Sequence, residues 1–241
     1  MLTPLDHVLF VVLAVLLPLR GATTGLRRLE RAPEPERPRV RVGLYRQVIA
    51  VQWTLAIATL ALWLATHRDS SALGLTLRPN GALIGILAGV VVVILIVVRQ
   101  SSAPGAADEI WAQLRRRIGH LELMMPHTPL ERSWFRAVAI TAGVCEELLS
   151  RGFVIWYLEH WVGLVPAIGA SAIVFGIGHL YQGPRGAAQA ALAGVFLGAV
   201  YALSGSLLPG VLIHGFMDLH AGEVSAVVFM REAERASEST M

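Results

Sequence analysis

The sequence contains no lysine and one cysteine, and only 15% of its residues are charged. A soluble globular domain usually carries charge on about a quarter of its residues, so this composition argues against an ordinary soluble protein. The single cysteine, Cys145, excludes an intrachain disulfide and a cysteine-based metal cluster. The sequence also lacks a basic face interleaved with aromatic residues and a phosphate-cradling glycine loop, so we expect no nucleic-acid partner.

Apolar residues are abundant instead, at 55% hydrophobic residues and a mean hydropathy of +0.60. A helix needs about 20 mainly apolar residues to cross a bilayer core. The apolar runs therefore predict an all-α fold, a polytopic transmembrane helical bundle with about seven spans. The N-terminus lacks the positive region and the cleavage site of a signal peptide, so we interpret its short apolar run as a retained span. The predicted spans are residues 5–20, 45–66, 81–99, 134–158, 165–181, 187–204 and 207–223.

Arginine is concentrated in two segments between these spans, residues 20–42 and 100–133. Arginine-rich loops stay on the cytoplasmic side of a membrane, so both segments are expected to face the cytoplasm. Threading seven spans by this rule places the N-terminus and the loops 67–80, 159–164 and 204–206 outside. The first is rich in proline as well and has little reason to fold on its own. The second has apolar residues at helical spacing opposite three arginines, which predicts an amphipathic helix on the membrane surface. Its apolar residues are Ile110, Leu114, Ile118, Leu121 and Met125, and its arginines are Arg115, Arg116 and Arg117.

Ionisable side chains are few within the predicted spans, and each is a functional hypothesis because burying such a group in a membrane is costly. Glu147 and Arg151 are four residues apart, so they share a helical face and can pair. Glu146 is rotated by about 100° from Glu147 and can point into the bundle without a partner. Small residues nearby allow the helices to approach closely. A glutamate, two histidines and an aspartate that converge can bind a divalent metal or activate water directly.

Three motifs follow one another on separate predicted spans. In this order and at this spacing they resemble the CPBP intramembrane proteases, the family of the CAAX prenyl proteases and of the bacteriocin-processing Abi proteins. The resemblance covers about residues 130–225 and implies a C-terminal four-helix catalytic core. The motifs are EExxxR (Glu146, Glu147, Arg151), FxxxH (Phe175, His179) and HxxxD (His214, Asp218). The expected organisation is N-terminal spans with basic loops and a surface helix over 1–130, the protease core over 131–225 and a cytoplasmic tail over 226–241. The charged end of this tail, REAERASESTM, is expected to fray.

The resemblance also implies a role for each residue of the first two motifs. Glu146 and His179 would activate the water molecule that attacks a peptide bond. Glu147 and Arg151 would support the site structurally, and Phe175 would pack beside it. A family of this kind therefore predicts hydrolysis inside the bilayer or at its edge.

The third motif would stabilise the oxyanion through His214 and Asp218. Many family members have asparagine in place of this aspartate, and an ionised aspartate can only accept hydrogen bonds. Asp218 is therefore protonated, orients His214, or helps to hold a cation. A divalent metal such as Zn²⁺, held by Glu146, His179 and His214, and a metal-free mechanism both stay open.

These observations predict an intramembrane endopeptidase, either a metalloendopeptidase or a glutamate-type peptidase, that cleaves a membrane-associated protein or peptide. We expect an integral protein of the plasma membrane whose active site opens toward the cytoplasm. Two other classes stay open: a non-catalytic membrane scaffold or bacteriocin-immunity factor, and a proton or ion transporter. We see no two-fold internal repeat of the kind many transporters show, which argues against the last of these.

Overall fold

A computed structural model describes residues 2–20, 22–103, 105, 109–110, 112–113 and 119–238. Helix makes up 88% of the structure and the described residues contain no strand, so the all-α prediction is confirmed. The N-terminal helix is interrupted by a π-helical stretch, Val12–Leu16. The helices are α1 (Pro4–Val11), α2 (Leu17–Arg20), α3 (Ala22–Arg31), α4 (Arg37–Ala65), α5 (Gly81–Ser101), α6 (Pro129–Glu147), α7 (Ile155–Val162), α8 (Leu164–Gly178), α9 (Gly183–Ser204) and α10 (Leu208–Glu238).

Four helical segments within the described residues are long and apolar enough to cross a membrane. The helix at Leu164–Gly178 is apolar but shorter, and so is the one at Pro4–Leu16. Each of the seven predicted segments is helical, but the count of seven membrane crossings is not confirmed. The four segments are Glu34–Ala65, Gly81–Ser101, Leu180–Ser204 and Leu208–Arg235.

Large apolar side chains cover the outer surface of these helices. On α5, for example, Ile84, Val93 and Leu95 are each more than half exposed. Water would penalise such a surface, whereas acyl chains would not. The protein is therefore an integral membrane protein.

Polar contacts bring the two arginine-rich segments together at one end of the bundle. Arg41 at the start of α4 forms a buried ion pair with Glu131 at the start of α6, and its Nε donates to the Leu123 carbonyl oxygen at 2.7 Å. Tyr45 donates to the Met124 carbonyl oxygen at 2.5 Å. The described parts of segments 20–42 and 100–133 thus meet on one side of the bundle, as the arginine distribution predicts.

The opposite end holds the predicted outer loops. Arg68 donates to both carboxylate oxygens of Asp6, at 2.8 and 2.7 Å, and Asp6 is fully buried. The amide of Leu207 donates to the Gly74 carbonyl oxygen at 2.9 Å. The N-terminus and the loops before α5 and α10 therefore share one side, which agrees with the predicted threading.

Two expectations about disorder are wrong. The described part of segment 20–42 is largely helical rather than an unfolded loop, because Leu26 and Leu29 of α3 are buried and Arg41 is anchored by its ion pair. The tail from Arg231 to Glu238 is the helical end of α10 rather than a frayed segment, and residues 239–241 lie outside the described residues.

Most of the predicted surface helix cannot be placed. Leu114, Arg115, Arg116, Arg117 and Ile118 lie outside the described residues, as does the side chain of Leu121. The two members that are described, Ile110 and Met125, pack against the buried cluster of α10. At these two positions the apolar face therefore packs against α10.

The helices that carry the first and third motifs meet at glycine. A Cβ placed on Gly143 of α6 would lie 2.8 Å from the Gly215 Cα and 3.1 Å from the Val211 carbonyl oxygen of α10. Gly176, Gly194, Gly198 and Gly210 also lie at tight contacts, whereas Gly169 and Gly178 have nothing within 4 Å of such an atom. The close approach of helices predicted from nearby small residues is thus seen at these four glycines but not at Gly169 and Gly178.

We expect Gly143→Ala to lower the free energy of unfolding by about 1–3 kcal/mol. The added methyl group would meet backbone atoms of α10, so α6 and α10 have to separate. Thermal unfolding of the purified protein in detergent micelles measures the loss. Gly85→Ala on α5 is the matched control, because nothing lies within 4 Å of its added atom; equal unfolding temperatures for the two variants would contradict the close contact.

Candidate active site

Glu147 is the buried centre of a three-residue network between α6 and α10. Its side chain is 1% exposed, and its Oε1 accepts from Arg151 at 2.9 Å and from Nδ1 of His214, also at 2.9 Å. A carboxylate only accepts, so Nδ1 of His214 carries the hydrogen and Nε2 points away from Glu147. A Cβ placed on Gly210 of α10 would lie 2.7 Å from Oε2 of Glu147. The backbone of α10 therefore packs directly against this carboxylate.

The pairing of Glu147 with Arg151 follows their spacing, but the backbone between them is not an ordinary α-helix. Leu148–Val154 is a π-helix that links α6 to α7. Its Ser150 carbonyl oxygen accepts from the Ser171 hydroxyl of α8 at 2.9 Å. Single π-helical turns are often found at functional sites.

Arg151 also joins the second motif to the first. Its guanidinium carbon lies 4.5 Å from the centre of the Phe175 ring, a cation–π distance. The Phe175 ring is in turn 4.5 Å from the His179 ring and 6.0 Å from the His214 ring, measured between centroids. Phe175 thus packs between the motifs, as predicted.

Glu146 points away from this network, toward α4. Its Oε1 accepts from the Gln52 side-chain amide at 2.6 Å, and its Oε2 lies 3.9 Å from Nε2 of His214. The expectation that Glu146 has no partner is therefore wrong. The helix rotation was correctly predicted, since the two adjacent glutamates face different neighbours.

Glu146 and His179 share one cavity of about 710 Å³. Nδ1 of His179 lies 2.8 Å from the Phe175 carbonyl oxygen, and because a carbonyl only accepts, this nitrogen donates. The other ring nitrogen of neutral His179 is then an acceptor. Apolar side chains from α2, α4, the π-helix Leu148–Val154 and α8 line most of the cavity, including Leu17, Val48, Val154 and Val174.

The third motif lies behind Glu146 rather than on the cavity wall. Nε2 of His214 is 3.7 Å from Oδ2 of Asp218, which is beyond hydrogen-bond distance. The side chain of Asp218 is 43% exposed, whereas that of His214 is 11% exposed. The structure thus gathers Glu146, His214 and Asp218 within a few ångströms.

A metal site does not emerge from these residues. Within the described part of the chain, no group of three or more histidine, cysteine, aspartate or glutamate side chains is arranged to hold an ion. Nδ1 of His214 and Oε1 of Glu146 are both engaged in hydrogen bonds. Nε2 of His214 and Oε2 of Glu146 lie outside these two hydrogen bonds, so Zn²⁺ stays a prediction from the sequence.

Two features of the site are missing from the sequence-based prediction. The first is Gln52, which lies on α4, outside the predicted catalytic core. The sequence feature that could have indicated it is a polar amide within an otherwise apolar run. The second is the π-helix, which no local residue pattern indicates.

Comparison with known proteins bears on this same region. Residues 129–220 match the family model described as type II CAAX prenyl endopeptidase Rce1-like. Residues 129–220 form an Rce1-like domain. The resemblance inferred from the three motifs is thus confirmed, and the family is a protease family. The searches of curated proteins and of solved structures found no match.

The Rce1-like domain contains all three motifs but not the whole site. It begins at the first residue of α6 and ends within α10. Gln52 and the α2 and α4 walls of the cavity lie outside it. The predicted boundaries of 131–225 stay a prediction, although the matched segment lies close to them.

Proposed function

We propose that this protein is an intramembrane endopeptidase, CAAX-protease-like, that hydrolyses a peptide bond in a membrane-associated protein or peptide. One observation carries the proposal: the Glu146 carboxylate faces a cavity that it shares with His179, within 4 Å of a second imidazole, His214. A carboxylate and an imidazole beside one water molecule are able to act as general base and general acid. The Rce1-like domain supports this chemistry.

In the proposed reaction, Glu146 takes a proton from a water molecule in the cavity while the water oxygen attacks the peptide carbonyl carbon. The carbonyl oxygen becomes an oxyanion. As the C–N bond breaks, the proton held by Glu146 passes to the leaving nitrogen. His179 accepts a hydrogen bond from the water and keeps it in line with the carbonyl, because its Nε2 is free of the Phe175 contact.

His214 is proposed to stabilise the oxyanion, which requires the peptide carbonyl to bind beside Glu146 on the side that faces Nε2 of His214. Glu147 holds its Nδ1–H, so a proton on Nε2 makes His214 a cation whose second N–H is directed toward Glu146 and Asp218. Hydrogen bonds from charged donors are stronger than those between neutral groups. Asp218 would then orient His214, and the Asp218 carboxylate would balance the positive charge of the His214 ring.

A divalent ion at Glu146, His179 and His214 is a second proposed form of the mechanism. Metal analysis of the purified protein would test it. No step above depends on such an ion.

The cavity also supports the proposed substrate class and orientation. It extends from Glu146 to Arg28 of α3 and Met124, both at the arginine-rich end of the bundle. Under the arginine rule that end faces the cytoplasm, so the active site would open there in the plasma membrane. Its apolar walls suit an apolar or lipid-modified peptide segment.

Comparison of peptide termini tests the proposal without knowledge of the substrate. Membranes containing the wild-type protein and membranes containing Glu146→Ala are analysed by mass spectrometry for newly formed termini. We expect a set of termini that is present with the wild type and absent with the variant at equal protein level. Identical sets would refute proteolysis and favour a non-catalytic scaffold.

A further inference from the structure

Gln52 is unusual for its position on α4. It lies in an apolar run of the membrane-spanning segment Glu34–Ala65 and outside the Rce1-like domain. A polar side chain within a membrane tends to face the protein interior and to serve a function. Gln52 does face inward, toward the cavity that contains Glu146.

The contact with Glu146 fixes the orientation of the Gln52 amide. Its Nε2 lies 2.6 Å from Oε1 of Glu146. An ionised carboxylate has no hydrogen to donate, so the NH₂ group must face Glu146. The amide oxygen must then point elsewhere.

That oxygen, Oε1 of Gln52, is buried and has no hydrogen-bond partner among the described atoms. A buried carbonyl without a donor destabilises a protein. Gln52 therefore has a stability cost at this position. Such a cost is typical of residues at functional sites.

We propose that Gln52 is a positioning residue whose N–H group holds the Glu146 carboxylate in the orientation in which it takes a proton from the attacking water. This inference rests on the proposed function. Water has two hydrogens, so one is directed to the Glu146 carboxylate and the other to His179. The lone pair of the water oxygen is then directed toward the peptide carbonyl carbon.

A stability cycle tests the contact without any substrate. Thermal unfolding in detergent micelles is compared for wild type, Gln52→Met, Glu146→Ala and the double variant. We expect Gln52→Met to lower the unfolding temperature in the wild-type background and clearly less in the Glu146→Ala background. Equal shifts in both backgrounds would overturn the contact.

The second arm measures hydrolysis of an internally quenched peptide that ends in a farnesylated CAAX sequence. We expect Gln52→Met to lower kcat by about 100-fold, because a misplaced reacting group costs that much, while KM stays within about threefold. Gln189→Met is the matched control, because Gln189 is exposed on α9. A fold that is merely weakened would lower the apparent kcat only in proportion to the fraction of protein unfolded at the assay temperature, and the thermal unfolding curve of the same variant gives that fraction.

The outcomes separate the two hypotheses. An unchanged kcat in Gln52→Met, or a rise in KM alone, would overturn the positioning role. An inactive wild type would count against the proposed function on this peptide, and the stability cycle would then decide on Gln52 by itself.

Discussion

Replacing Glu146 with glutamine is expected to lower peptide hydrolysis by about 10²–10⁴-fold, the usual contribution of a positioned general base. The substitution keeps the size of the side chain and its ability to accept from Gln52. It removes only the ability to take a proton from water. The rate is measured with the farnesylated CAAX peptide and protein purified in detergent micelles.

Glu159→Gln is the matched control for this experiment. Glu159 lies on α7 and is exposed, so the same chemical change there should leave the rate unaltered. Substantial activity in Glu146→Gln would remove this residue from the reaction. An equal loss in both variants would point to general damage rather than to the base.

Replacing Arg151 with methionine is the change with the largest expected effect on stability. Arg151 and Glu147 are 2% and 1% exposed, and removal of the arginine leaves the carboxylate buried with His214 as its remaining partner. Breaking a buried pair from one side costs about 3–5 kcal/mol. We expect the free energy of unfolding to fall by about that amount in detergent micelles.

Two further variants sharpen this prediction. In Glu147→Gln/Arg151→Met neither charge is present, so the loss should be clearly smaller than in Arg151→Met alone. Arg185→Met removes an exposed arginine of α9 and should have little effect. If the double variant were less stable than Arg151→Met, the uncompensated charge of Glu147 could not be the cause of the stability loss in Arg151→Met.

Apolar periodicity was sufficient to predict the helices, because each helix has to present an apolar surface to lipid or to its neighbours. The ends of the helices were harder to predict. The composition of segment 20–42 predicts a loop. Arg41 in this segment nevertheless forms an ion pair with Glu131, which lies about ninety residues later in the sequence. No pattern in the neighbouring residues indicates a partner at that separation.

The contacts of the candidate site also divide into local ones, which the sequence predicts, and contacts between separate helices, which it does not. Pairing of Glu147 with Arg151 is a local, one-turn contact, so its spacing reveals it. The bonds from His214 to Glu147 and from Gln52 to Glu146 join separate helices, and they depend on the approach of α10 and α4 to α6. Sequence motifs identified the candidate residues, but not which of the two glutamates each partner would bind.

The central claim is that Glu146 and His179 act on one water molecule. Initial rates for the wild type, Glu146→Gln, His179→Ala and the double variant on the farnesylated CAAX peptide test it most directly. Residues that act as a unit are not additive, so the double variant should be about as slow as the slower single variant. Losses that multiply, or a Glu146→Gln variant as fast as the wild type, would contradict the account.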